Sequence, residues 1–376
     1  MRDLLEIRDE IDELDSEIVR LYEKRMQLTS DVAEYKINTG KQVFDKEREN
    51  SKLATLEGKA SCNFTKHGIR ELFEQIMAMS RKKQYQLLTE HGIVYSPEFE
   101  KVDALDYSNA RIVFQGLEGA YSQEAMEMFF GENCDSFHVE TWKDAMEAIR
   151  MGKADYAVLP IENSSAGIVS ENYDLLVEYD NYIVGEQIIK IDHALLGLED
   201  AGESDITSVY SHKQSIMQCS DFLEQHNQWE KFSVSNNAVA ARKVKEDGDK
   251  HQAAIASAKN AQIYGLKVLR NSIQNNKNNS TRFIVVTGNK IYTAVANHIS
   301  ICFEVNHESG ALYHALSHFI YNGLNMTNIQ SRPLQNKNWE YRFFVDFDGT
   351  FEDDAVQNAL RGLKEETISF KILGTY

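Results

Sequence analysis

Proline is scarce, with three in 376 residues. None precedes residue 91, so nothing there interrupts a long helix. Cysteine is also sparse. Cys62, Cys134, Cys219 and Cys302 stand far apart without CxxC spacing, which argues against a disulfide frame or zinc site and fits unpaired thiols in a reducing cytoplasm. Nowhere do about eighteen apolar residues run together, and the start, "MRDLLEIRDE", is charged; neither a signal peptide nor a membrane span is expected. An excess of positive charge is missing too. The formal net charge of -18 argues against nucleic acid as a partner, and an anionic substrate would need a local cationic pocket set against that field. What remains, 42% hydrophobic residues over a chain of this length, predicts a soluble globular protein of two or three domains.

Three textures follow one another. Residues 1–91 read as helix throughout, and residues 92–110 carry proline and mixed charge without clear period, as a linker would. From 111 to about 290, short β-rich runs ("RIVFQ", "DYAVLPI", "SVYSH", "AAIAS", "FIVVT") alternate with helical stretches, which predicts a parallel α/β region. Residues 296–376 read strand, helix, strand, strand, helix, strand, the plan of a ferredoxin-like α+β domain.

In the first helix Ile7, Ile11, Leu14, Ile18, Leu21, Leu28, Val32 and Tyr35 fall at alternating spacings of four and three, a long seam for packing against other helices. Arg25 breaks it. A guanidinium there is costly unless something anionic meets it. Lys36 stands eleven residues on, about three turns and roughly 16 Å along the same side, which leaves room for a small anion between the two. The last helix has a matching interruption, Ser80 and Gln84 after Ile69, Phe73 and Ile76. A polar residue that fixes coiled-coil register is the other reading. Between these helices Asp45, Arg48 and Glu49 share a helix face, an arrangement that is also common on solvated surfaces.

The frame "IRDEID" with Arg8, "EKR" with Arg25, "EYK" with Lys36, "DKERE" with Asp45, Arg48 and Glu49, and "SRKKQ" with Ser80 and Gln84 resembles the all-helical chorismate mutase domain. An intramolecular rearrangement of a dicarboxylate needs no nucleophile, only a folded substrate and donors at the ether oxygen where charge builds up. The resemblance implies that Arg25 holds a carboxylate, that Lys36 and Gln84 donate to the ether oxygen and that Glu49 accepts from the ring hydroxyl, with Asp45, Arg48 and Ser80 at the same site. Arg8 lies seventeen residues before Arg25, about 25 Å along one helix. It cannot reach the same pocket in its own chain, so Arg8 of a second copy would complete it, as in the family's intertwined dimer.

Residues 111–290 resemble prephenate dehydratase, and the resemblance implies a two-lobed fold of the periplasmic-binding-protein type closing on its ligand. "FQGLEGAYS" runs from a strand through Gly116 and Gly119 to Ser122 at a helix start, a shape that offers backbone donors to an anion, although ordinary strand-to-helix turns look alike. "DYAVLPIENSSAG" ends its strand in Glu162, Asn163, Ser164, Ser165, Ala166 and Gly167, small polar groups where a second anion could dock. "IDHALL" with His193 and "SHKQ" with Ser211, His212, Lys213 and Gln214 also match the family. "TRF", with Thr281, Arg282 and Phe283, is its signature, and ties the threonine to catalysis. A threonine hydroxyl is too weak an acid to supply the proton for hydroxide departure unaided, so Glu162 or a water is expected to do so. Arg282, on the opposite face of its strand, is either a buttressing salt bridge or a carboxylate clamp.

The last region resembles the ACT regulatory module, with Gly310, Ala311 and Leu312 as its "GAL" element and Gln330, Ser331, Arg332 and Pro333 where the family usually has "ESRP". The resemblance implies a phenylalanine site at Gly310, Ala311, Leu312, Ser331 and Arg332, and Gln330 removes a carboxylate from it. A dimerisation domain without ligand is the alternative. Together the three regions resemble the bifunctional chorismate mutase/prephenate dehydratase family, which implies chorismate and prephenate as substrates, phenylalanine as effector, a homodimer or larger assembly in the cytoplasm, and no metal or organic cofactor. An arogenate-preferring dehydratase and a non-catalytic amino-acid sensor remain as competing expectations.

Overall fold

The computed structural model describes residues 2–334 and 340–376. They fall into two units, Met1–Glu98 with Asn297–Ile372, and Phe99–Ala296 with Leu373–Tyr376. The sequence predicts three domains. The helical segment and the C-terminal region fall in one of these units, and polar side chains along the last N-terminal helix find partners in the C-terminal region.

In the first unit, helix α1 (Leu4–Thr39) begins at an Asp3 cap that accepts from the Leu5 amide and ends at Gly40, in the left-handed conformation at φ 68°. Helix α2 (Lys46–Glu57) is capped by Asp45, whose side chain accepts from Arg48 N at 3.0 Å. Helix α3 (Asn63–Glu90) buries Ser80, Arg81, Lys82, Gln84 and Thr89 beside Met77, Ala78 and Tyr85. Partners elsewhere in the unit offset the cost of this polar stripe: Lys82 Nζ donates to Ser317 Oγ at 2.8 Å, and Thr89 Oγ1 to Asn358 Oδ1 at 2.7 Å. The α1 seam behaves differently. Ile11, Leu14, Ile18, Leu21, Leu28, Val32 and Tyr35 are exposed, and Thr29 and Ala33 are the buried residues of that helix. The expected packing of this seam on other helices is therefore not made within the chain.

The C-terminal part of this unit has strands His298–Glu304, Met326–Pro333 and Tyr341–Asp348, helices Ala311–Tyr321 and Asp354–Glu366, and residues 369–372 of strand Ser369–Thr375, in the expected order. Tyr341–Asp348 lies between the first two strands, antiparallel to both, with Ile301 opposite Val345.

The second unit carries two five-membered runs of strands. One is ordered Tyr182–Lys190, Ser280–Thr287, Tyr156–Asn163, Arg111–Gln115, Asp135–Val139; the other Lys267–Arg270, Ala194–Gly197, Gln252–Ala256, Ser208–His212, Glu230–Val234. In the second, Leu196 and Ala254 pack into one apolar cluster while Leu195 and Ile255 pack into another, so both faces are covered. The sheets are mixed where the sequence predicts parallel ones. Strand Ser280–Thr287 is antiparallel to both neighbours, because the chain leaves the first sheet after Lys190, builds the second and re-enters at the end it left, with Ser280 opposite Lys190. The residues predicted as linker contain a short strand, Glu100–Val102, paired in parallel with Ile291–Thr293. Among the described residues no helix is long and apolar enough to cross a membrane.

Candidate functional site

In the first unit a cavity of about 700 Å³ opens among α1, α2 and α3. Arg25, Lys36, Asp45, Arg48, Glu49, Ser80 and Gln84 all line it. Arg8 does not; it lies exposed on the early turns of α1. The lining holds six cationic side chains, Arg25, Lys36, Lys41, Arg48, Lys52 and Arg81, against the carboxylates of Asp31, Asp45 and Glu49. In a chain of formal charge -18 this is a local reversal of sign, suited to an anion of more than one charge.

The donors are held in place. Arg25 Nη1 donates to Ser80 Oγ, and Lys36 Nζ donates to the Val43 carbonyl at 2.7 Å. Burial lowers the pKa of Arg25 against the opposing pull of Glu49, and lowers that of Lys36 against Glu365 and Asp45. Gln84 Nε2 donates to the Ser80 carbonyl at 3.1 Å, while its buried Oε1 has no partner. Glu49 Oε2 accepts from Arg81 Nη1. Arg81 escaped the sequence reading although it stands inside the quoted "SRKKQ". The missed signal was its position: a helix that buries both Ser80 and Gln84 also turns the residue beside Ser80 inward.

In the second unit the chain passes between the two sheets at 191–193 and 271–279. The crossings run together: Ile191 N donates to the Asn279 carbonyl at 2.9 Å and Ile273 N to the His193 carbonyl at 2.9 Å. Beside them Asn163 Nδ2 donates to Thr281 Oγ1 at 2.8 Å, and Asn163 Oδ1 accepts from the amides of Ser165 and Ala166 at 3.0 and 2.8 Å. Ser164 Oγ accepts from Ser280 N at 2.9 Å. Asn279, beside the crossing, accepts from Asn163 Nδ2 at 2.9 Å. Thr281, Asn163, Ser164 and Ser165 thus form one polar cluster where the chain changes sheets, and Gly167 follows opposite Asn163 in the register at φ 84°.

Glu162 does not join this cluster. Thr281 stands opposite Asn163 and Arg282 opposite Glu162, so Glu162 shares Arg282's face and points away from Thr281. As the expected proton source it is misplaced by this alternation. Arg282 Nε binds Glu186 Oε2 at 2.8 Å, and Nη2 donates to Tyr376 Oη at 2.6 Å; of its two readings, the buttress is the one with a partner in place. Phe283 is buried in the core with Val158 and Val285.

Ser122 is buried and donates to the Gln115 carbonyl, which closes the turn after the strand. Gly119 has φ 90°, and a Cβ there would stand 2.3 Å from Asn260 Oδ1; Asn260 Nδ2 donates to the Gly119 carbonyl at 2.8 Å. The glycine is therefore required by the close approach of Asn260, a partner the sequence did not reveal. His193 is buried between Tyr121 Oη and Gln218 Oε1 at 3.2 and 2.9 Å, and burial lowers its pKa. His212 caps the helix Lys213–Gln218, accepting from Gln214 N at 3.3 Å, and burial lowers its pKa as well.

In the C-terminal region Gly310 precedes helix Ala311–Tyr321 at φ 79°. Ala311 and Leu312 line a cavity of about 350 Å³ together with Val305, Glu308 and Tyr341. Ser331 and Arg332, on strand Met326–Pro333, are not part of its lining. Among the described residues no group of three or more His, Cys, Asp or Glu side chains is placed to hold a metal ion.

Two family models match the chain, chorismate mutase type II over residues 7–85 and prephenate dehydratase over residues 112–291. A bifunctional chorismate mutase/prephenate dehydratase of Aquifex aeolicus (strain VF5) is 32% identical over 379 residues, covering 100% of this chain and 98% of the relative. Among solved structures, the prephenate dehydratase of Arthrobacter aurescens in complex with L-Phe is 28% identical, with a TM-score of 0.66 over 71% of this chain and 89% of its own. A structure described as a novel type of quorum quenching acylase is 30% identical with a TM-score of 0.65, over 71% of this chain and 97% of its own. Likeness of fold alone does not choose among activities.

Proposed function

The chain belongs to the bifunctional chorismate mutase/prephenate dehydratase family, and we propose from that premise how its residues divide the two reactions. The mutase step takes place in the cavity among α1, α2 and α3. Arg25 and Arg48 hold the carboxylates of chorismate, Lys36 and Gln84 donate to the ether oxygen, Glu49 accepts from the ring hydroxyl, and Asp45 and Ser80 fix the neighbouring donors. The observation that carries this reading is the convergence of those side chains on one cavity with twice as many cations as carboxylates. Charge that develops on the ether oxygen meets donors already oriented, which lowers the barrier without a nucleophile or cofactor.

Prephenate then loses carbon dioxide and hydroxide in the second unit. Thr281 accepts from Asn163, so its own proton is free to donate to the departing oxygen, and a water supplies the proton that Glu162 is not placed to give. Ser164, Ser165, Gly167 and the backbone amide of Ser122 offer donors to the substrate's anionic groups, and His212 stands at the start of a helix on the other lobe. The crossings at 191–193 and 271–279 serve as hinges.

The C-terminal region, 296–376, is the ACT module and binds phenylalanine near Gly310, Ala311 and Leu312, with Ser331 and Arg332 contributing from a neighbouring strand; L-Phe in the similar solved structure supports that effector. The helical domain covers 1–91, the linker 92–110 and the dehydratase 111–290, in a cytoplasmic homodimer or larger assembly. The apolar face of α1, from Ile11 to Tyr35, is the dimer seam, and Arg8 from a second copy completes each mutase cavity. A chorismate turnover assay that follows prephenate and phenylpyruvate separately, with and without phenylalanine, tests the reading. Both products should form and phenylalanine should slow the second; no prephenate from chorismate would remove the mutase assignment.

A further inference from the structure

Behind one wall of the proposed mutase cavity lies a second cavity of about 360 Å³, bounded on its far side by Val305, His314, Glu365 and Glu366 of the C-terminal region. Glu49 and Arg81 line both cavities and form the partition between them. The Arg81 side chain is 9% exposed, with its guanidinium 5.0 Å from the Phe44 ring centroid. One edge of the fork grips Glu366, Nε to Oε1 at 2.8 Å and Nη2 to Oε2 at 3.0 Å; the other edge donates from Nη1 to Glu49. Glu366 is itself 10% exposed, ends helix Asp354–Glu366, and lies 3.3 Å from His318 Nε2 on helix Ala311–Tyr321.

A guanidinium fork is rigid and planar, so its grip on one carboxylate fixes the direction it presents to the other. Inside a protein such a triad is also unforgiving, since removing one partner leaves buried charge uncompensated. We infer that Arg81 is a positioning residue for the mutase step: it holds the Glu49 carboxylate at the cavity wall in a place set by Glu366, and so makes mutase turnover depend on the position of the helix Asp354–Glu366. The inference rests on the mutase assignment above. It adds a residue whose side chain works through Glu49, and a route by which the C-terminal region reaches the first reaction.

The test measures kcat/KM for chorismate and for prephenate on the same preparations of full-length chain. Glu366→Gln should lower the chorismate value about tenfold, a coupling within the usual range for residues in one ionic network, and leave the prephenate value unchanged. Arg81→Met should lower the chorismate value at least as far. The double variant should be no worse than Arg81→Met alone, because the effect of Glu366 travels through that guanidinium. Wild-type chorismate kinetics in Glu366→Gln, or losses that multiply independently in the double variant, overturn the inference. If Glu366→Gln unfolds and loses both activities, Glu366→Asp keeps the charge but shortens the reach; it should lose chorismate turnover selectively, and wild-type kinetics there overturn the inference as well. A wild-type chain inert toward chorismate would instead sink the mutase assignment, a separate failure.

Discussion

Asn163 donates its side-chain amide to Thr281 Oγ1 at 2.8 Å, across adjacent antiparallel strands in which the two residues stand opposite one another. Among the described residues no acceptor takes the Thr281 hydroxyl proton, so the hydroxyl is set up to donate outward. Asn163→Ala should therefore lower dehydratase kcat with chorismate turnover intact. The loss expected for one orienting hydrogen bond is roughly 1–3 kcal/mol. Unchanged prephenate kinetics in the variant would show that the hydrogen bond is structural decoration.

Lys36 and Thr281 belong to separate units, so their substitutions should separate the activities. Lys36→Ala is expected to cost the mutase on the order of 3 kcal/mol or more in transition-state stabilisation, because charge on the ether oxygen exists chiefly at the transition state. Prephenate turnover should stay at wild-type level. Thr281→Ala should do the reverse. Parallel losses in either variant, measured on both substrates, would contradict separate sites.

Arg8 is exposed and outside the cavity of its own chain. Mixing refolded Arg8→Ala and Lys36→Ala chains, each inactive alone, should restore chorismate turnover. In a symmetric dimer with random pairing the mixture should regain about a quarter of wild-type activity, because each heterodimer has one site free of both substitutions. A mixture as inactive as its components would place the whole mutase site within one chain.

Glu366 gives a pH prediction. Burial pushes its carboxyl up, but His318 and the Arg81 guanidinium outweigh that and hold its pKa at about 2, below the ordinary 4.5. A depressed folded-state value means that its ionised form stabilises the fold fully above pH 4.5 and that this contribution is lost as pH falls through 2. Denaturant unfolding across that window should show wild type losing, relative to Glu366→Gln, on the order of 3 kcal/mol. Identical pH dependence in the two chains would contradict a charge-paired Glu366.

Several features were legible from residue order. The α1 seam shows as spacing because helix periodicity is local, and the interruption at Arg25 shows for the same reason. The alternation of strand and helix in the middle region was equally local, as was the order of elements after residue 296. Strand direction was not. Ser280–Thr287 reads as any buried strand, and only the chain's return from the second sheet makes it antiparallel to its neighbours. Asn260 gave no local sign at all, since its partner Gly119 lies far away in sequence.

The sequence by itself determined which residues carry charge and hydroxyl groups, and on which helical face or strand side each one stands, because those follow from periods of a few residues. Only tertiary structure decided what each one meets. Arg81 and Glu366 are 285 residues apart, and Glu162 and Thr281 sit on opposite faces through a register set by a long-range pairing. Such partners are chosen by packing the whole chain, where burying an unpaired charge is expensive enough to select the arrangement in which each finds its complement.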